Sequence, residues 1–307
     1  MTEDSAFFDL RDDSHVSFER PECIHRSEGG WTELYRVEHD GRFRVLKAIQ
    51  ADKRGQQRYE ALLRKEYEIG YSLDHPAIRA VYAYGHSDML GNYIEMEWVD
   101  GCSLADYLAS HHPDAATSRK LLLQLCEALS YLHSRQIIHR DLKPSNIMIT
   151  HNGLNLKLID FGLSDGDSYA VLKAAAGTTS YAAPELLRGE PVDCRADIWS
   201  LGMIIALLLP SRRDIIRRCT REDRNCRYPD AASVASALKK RSVGWIVAVV
   251  VMVVAACLIY FLSVRPLSQE PLPQVETEQA ESVILDPAAI DELFRQATEM
   301  ILSEDNQ

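Results

Sequence analysis

The run His139-Arg140-Asp141-Leu142-Lys143-Pro144-Ser145-Asn146, with Asp160-Phe161-Gly162 beginning fourteen residues after Asn146, constrains this chain more than anything else in it. It sets a carboxylate base (Asp141), an ammonium (Lys143), an amide oxygen (Asn146) and a second carboxylate (Asp160) on two neighbouring loops. Such a set is useful only if the fold makes the two loops converge. Passing a phosphoryl group from a nucleotide to a hydroxyl requires these groups: one to orient the hydroxyl and take its proton, one to neutralise the moving charge, and hard oxygens to hold magnesium.

The flanking sequence carries more of the pattern. Phe43 to Ile49 alternates as a half-buried strand does and includes Lys47, while Arg58 to Leu73 reads as a helix with Glu66 eight residues before Asp74-His75-Pro76. Tyr93 to Val99 reads as another strand. Downstream stand Gly177-Thr178-Thr179-Ser180-Tyr181-Ala182-Ala183-Pro184-Glu185, Asp197-Ile198-Trp199-Ser200-Leu201-Gly202, and Arg227-Tyr228-Pro229. In this order the motifs resemble the eukaryotic-type (Hanks-type) serine/threonine protein kinases, over roughly residues 20–240.

The resemblance implies an α+β, bilobal fold with ATP and Mg2+ as cofactors. By that resemblance Lys47 holds the nucleotide's α- and β-phosphates and pairs with Glu66. Met96 is the gatekeeper, the backbone of Glu97 and Val99 bonds adenine, and Leu34, Val45 and Met148 sandwich the base. Asp141 is the base, Lys143 steadies the γ-phosphate and marks the serine/threonine class, and Asn146 with Asp160 holds the metal. Thr178 bonds near Asp141 and Lys143, leaving Thr179 as the favoured acceptor for autophosphorylation, with Arg140 placed to clamp the phosphate. Glu185 and Arg227 form a buried structural pair. The substrates implied are protein serine and threonine hydroxyls.

Three departures from the family pattern stand out. The three glycines of the nucleotide-covering loop fall at Ser27, Gly29 and Thr32, so only Gly29 keeps the freedom to approach a phosphate closely. Gly70 stands where the family carries a bulky side chain, so packing that favours the assembled site is expected to be missing. The helix expected to end near Leu209 leads through Pro210-Ser211-Arg212-Arg213 straight into Asp214 to Cys219, so the C-lobe is shortened.

Residues 242–264 contain no charge, and at about 1.5 Å per residue they reach across a bilayer core of about 30 Å. Lys239-Lys240-Arg241 precede the run and only Arg265 follows, which places the kinase domain in the cytoplasm and the C-terminus outside. The expected organisation is an N-terminal extension (1–19), the kinase domain (20–241), a transmembrane helix (242–264) and an acidic tail (265–307). Residues 266–307 hold ten carboxylates and one arginine, or −9 of the chain's net −11, which argues against nucleic acid as a partner. Within the tail, 286–303 reads as a short helix whose apolar stripe suits a partner or a second copy of the chain, and so a homodimer. Seven arginines between Arg212 and Arg227 face either anionic lipid or plain solvent. The seven cysteines show no metal-ligand spacing.

Rival readings remain. A pseudokinase scaffold at the membrane, binding nucleotide without turnover, is favoured by the eroded loop and disfavoured by intact Lys47, Asp141, Asn146 and Asp160. A small-molecule phosphotransferase has no need of the segment ending at Glu185. A membrane adaptor leaves the polar set unexplained.

Overall fold

A computed structural model describes residues 21–27, 30–160, 180–240 and 244–263, with side chains in the last stretch described for 251–260. The chain divides into two compact units at Ser242/Val243.

The first unit begins with a five-stranded antiparallel sheet of order β1-β2-β3-β5-β4, where β1 is Glu22–Arg26, β2 Thr32–His39, β3 Arg42–Ile49, β4 Val81–Ser87 and β5 Gly91–Glu97. The β2–β3 turn is Asp40-Gly41, both at positive φ (51° and 68°), the hairpin geometry whose twist matches that of the strands. Alternation along β2 puts Tyr35 and Val37 inside, and the register sets Leu34 opposite Lys47 and Val45 opposite Met96. Helix α1 (Gln57–Tyr71) lies on this sheet through one face, with Leu63, Glu66 and Gly70 buried at helical spacing.

Beyond the sheet the unit is mostly helical. Ser103 caps α2 (Leu104–Ser110) and Asp114 caps α3 (Ala115–Ser134), each accepting from the backbone N–H three residues on. Leu121, Leu122, Leu125, Leu129 and Leu132 of α3 form the spine of the large core. A small antiparallel sheet, β6 (Gly101–Ser103), β7 (Ile147–Thr150) and β8 (Leu156–Leu158), carries the loops of interest at its ends. Then come α4 (Pro184–Arg188), α5 (Arg195–Leu208), α6 (Arg213–Cys219) and α7 (Ala231–Lys239).

Helices α5 and α6 pack closely on one another. A Cβ on Gly202 of α5 would stand 2.5 Å from Cys219 Cβ and 2.9 Å from Thr220 Cγ2, so α6 rests directly on α5. The expected gap at Gly70 is likewise filled. A Cβ there would lie 2.5 Å from Val81 Cγ2, so the β4 valine occupies the space the missing side chain leaves.

The second unit contributes α8 (Gly244–Ser263), which carries no charged residue. Its side chains are described only over 251–260, and among the described residues no helix is long and apolar enough to cross a membrane.

Candidate active site

The site forms where β3, α1, the loop after α3 and the end of β8 meet. Lys47 points from β3 toward α1 because its alternate neighbours, Leu46 and Ala48, fill the opposite face of the sheet. Its Nζ lies 2.6 Å from Glu66 Oε1 and 3.0 Å from Asp160 Oδ1. Lys47 and Glu66 are buried, whereas the Asp160 side chain is 40% exposed. Burial pulls the Lys47 ammonium down, but Asp160 and Glu66 together outweigh it and hold it above its ordinary value. Burial raises the Glu66 carboxyl, with Lys47 opposing. Glu66 Oε2 has no hydrogen-bond partner among the described residues.

The loop after α3 is held from below. Asp197 on α5 is fully buried and accepts from the backbone N–H of His139 (2.8 Å) and Arg140 (2.9 Å), and its Oδ2 lies 2.8 Å from His133 Nε2. Burial pushes the Asp197 carboxyl up, yet its contacts with His133 and His139 bring it below the usual carboxylate range. Arg140 and Asp160 both take positive φ (63° and 71°), a conformation that costs side-chain-bearing residues energy and persists where surrounding contacts enforce it.

On that loop Lys143 Nζ lies 2.8 Å from Asp141 Oδ2. Asn146 Nδ2 donates to the same Oδ2 at 2.8 Å and to Asp141 O at 2.9 Å, while Asn146 O accepts from Ile159 N at 2.9 Å. One asparagine thus ties the two loops together. With its amide nitrogen committed to Asp141, the Asn146 side-chain oxygen is the atom left for a cation. An amide oxygen and the Asp160 carboxylate are hard oxygen donors of the kind that suits Mg2+, which takes few protein ligands. The described residues contain no cluster of three or more His, Cys, Asp or Glu able to hold a metal.

Leu34, Val45 and Met96 come together in one apolar cluster, whereas Val99 and Met148 belong to other elements and lie outside it. The Glu97 N–H donates to Ala80 O at 2.9 Å, so its backbone offers a ligand the carbonyl. Gly29, Phe161, Thr178 and Thr179 fall outside the described residues. Glu185 and Arg227 meet in a two-pronged buried pair, at 2.6 and 2.8 Å. Burial pushes the Glu185 carboxyl up, and the Arg227 bonds override it and hold it low.

One charged residue escaped the sequence reading. Arg79 is buried behind the site, where burial lowers its pKa and the charges of Asp160, Glu66 and Glu97 oppose that. The available signal was an arginine in the otherwise apolar run from Pro76 to Tyr82.

The family profile described as "Protein kinase domain" matches residues 27–234. Among curated proteins, a probable serine/threonine-protein kinase of Streptomyces coelicolor is 39% identical over 204 residues, covering 60% of this chain and 29% of that protein. The serine/threonine-protein kinases PknB of Mycolicibacterium smegmatis (37% identical; 54% and 28% covered) and PrkC of Bacillus subtilis (33%; 55% and 26%) are similar over the same kind of span. The matched region is thus less than a third of each relative's length. Among solved structures, the PknI kinase domain of Mycobacterium tuberculosis superposes with a TM-score of 0.56 at 25% identity, covering 73% of this chain and 96% of that one.

Proposed function

The chain belongs to the protein kinase family, and from that premise we propose that it transfers the γ-phosphate of ATP to serine and threonine hydroxyls of proteins, its own activation segment among them. The observation that carries this reading is the position of Lys47 Nζ between Glu66 and Asp160, at 2.6 and 3.0 Å. Lys47, fixed by Glu66, binds phosphate oxygens. Asp141 orients the acceptor hydroxyl and takes its proton, and Lys143 neutralises charge on the transferring group. Asn146 and Asp160 would hold Mg2+, which when bound would supply positive charge to offset that of the phosphate groups. Leu34, Val45 and Met148 would sandwich the base with Met96 as gatekeeper, and the backbone of Glu97 and Val99 would bond adenine.

The test is transfer of labelled phosphate from ATP by the full chain in detergent, with Asp141→Asn and Lys47→Met as controls. Label on the parent alone, on serine or threonine, supports the kinase. Nucleotide binding without label on any protein supports the scaffold reading instead, for which the sequence at Ser27 and Thr32 is the favouring observation.

The reading extends to a membrane setting, with the kinase domain cytoplasmic and the acidic tail on the far side. Its support lies in the sequence alone, in the uncharged run 242–264 and the basic Lys239-Lys240-Arg241 that precedes it. Resistance of the chain to alkaline carbonate extraction, with protease access to the tail from the outside only, is the expected outcome. Release into the supernatant refutes it.

A further inference from the structure

The structure sorts the seven arginines between Arg212 and Arg227. Arg227 is spent on Glu185, and Arg224 donates to Pro191 O. Arg212 caps the end of α7, donating to Ala237 O at 2.8 Å and Lys240 O at 3.2 Å, and faces Asp214. Arg213, Arg217, Arg218 and Arg221 remain exposed and enter no ion pair among the described residues. Arg218 lies over the Tyr228 ring, and the other three make no charge contact among the described residues.

Between α6 and the last turn of α7 lies a cavity of about 460 Å³, the size of a small-ligand site. Arg218, Lys240, Ser233 and Tyr228 line it, and Asp214, already engaged by Arg212, is its one carboxylate. The Arg218 guanidinium lies over the Tyr228 ring at 4.2 Å, which holds that cation in place before any ligand arrives. Ser236 also lines the cavity but gives its hydroxyl proton to Ala232 O, leaving Ser233 as the hydroxyl donor. A preorganised guanidinium, an ammonium and a hydroxyl converging on one space suit a phosphate diester.

We propose that this cavity binds the phosphodiester headgroup of an anionic membrane lipid, with Arg213, Arg217 and Arg221 facing the surrounding charged surface. The proposal rests on the membrane reading above, in which Lys240 stands two residues before the uncharged run 242–264. It gives the shortened lobe a docking function that the sequence reading left evenly divided between lipid and solvent.

The test uses the full chain in nanodiscs of phosphatidylcholine, alone or with phosphatidylglycerol, and reads amide hydrogen exchange over residues 211–240. Expected is a several-fold slowing with phosphatidylglycerol that disappears in an Arg218→Gln/Lys240→Gln variant whose thermal unfolding matches the parent. No slowing overturns the proposal. Persistence of the slowing in the double variant overturns the cavity as its seat. Equal slowing by inorganic phosphate in phosphatidylcholine discs reassigns the cavity to a soluble anion and overturns the lipid. Carbonate extraction reports on the tether separately. Should the tether fail, flotation of the same chain with phosphatidylglycerol but not phosphatidylcholine vesicles still supports the headgroup site, and no flotation overturns it.

Discussion

Replacing Gly70 by leucine sets two effects of opposite sign against each other. Helix propensity alone favours the change, because a glycine inside a helix costs about 0.5–1 kcal/mol relative to a good helix former. Packing opposes it. The first added carbon would stand 2.5 Å from Val81 Cγ2, where ordinary carbon contacts are about 3.5–4.0 Å, so either the Val81 side chain leaves its rotamer or α1 and β4 separate by about 1 Å. Overpacking of this kind costs about 1–3 kcal/mol, so the net result is a loss of stability. Function should suffer more. Glu66 is one turn away on the same buried face, and its 2.6 Å bond to Lys47 does not survive a displacement of about 1 Å. A misplacement of that size can lower a rate about 100-fold. Urea unfolding and phosphotransfer rate are measured for Gly70→Leu, Val81→Ala and the double variant. Val81→Ala removes the obstructing methyls, so the double variant should recover both properties with a coupling energy of about 1 kcal/mol or more. A Gly70→Leu protein as stable and active as the parent, or a double variant no better than Gly70→Leu, refutes the reasoning.

Arg227→Met leaves the Glu185 carboxylate buried without its partner and should cost about 3–5 kcal/mol in urea unfolding; a loss below about 1 kcal/mol contradicts a buried pair. Glu185 and Asp197 are both held below their ordinary carboxylate values, so the stability they contribute is complete above the unfolded carboxylate range, about pH 4–4.5, and lost as pH falls through their folded values. Unfolding midpoints should therefore drop steeply on acidification below about pH 4.5, and less steeply in Arg227→Met; parallel pH profiles speak against the assignment. Asn146→Ala removes both the amide hold on Asp141 and a metal oxygen, and should raise the Mg2+ requirement of phosphotransfer about 10- to 100-fold, read from Mg2+ titrations. Gly202→Ala drives a methyl toward Cys219 and Thr220 and should destabilise by about 1–3 kcal/mol in thermal unfolding, whereas an unchanged midpoint means α6 is loosely seated.

The reacting groups were legible because each sits in a short motif whose neighbours also match. Lys47, Glu66, Asp141, Lys143, Asn146 and Asp160 were named from such contexts, as was the Glu185–Arg227 pair. What stayed hidden depends on contacts between segments distant in the chain. Gly70 reads as missing bulk until Val81, on another strand, is seen to occupy the space. Arg79 went unread, because its closeness to the charges of Glu66 and Asp160 exists only after the chain has folded. Asn146 was read as a metal ligand alone, and its two hydrogen bonds to Asp141 are a matter of side-chain orientation that no spacing encodes. The basic stretch was read as one patch of seven, and burial divides it by function.

The seating of α6 against Gly202 bears on how such a lobe can vary. A segment removed from between two helices ordinarily leaves a void or a loose end, and either would erode the remaining core. Here the side-chain-free position on α5 lets the following helix close that space, so the small lobe is a finished surface with its own shape. Restoring a longer segment at 209–212 would then have to pry the two helices apart before it could settle. A lobe completed in this way is a compact starting scaffold for engineering, and an awkward one to enlarge.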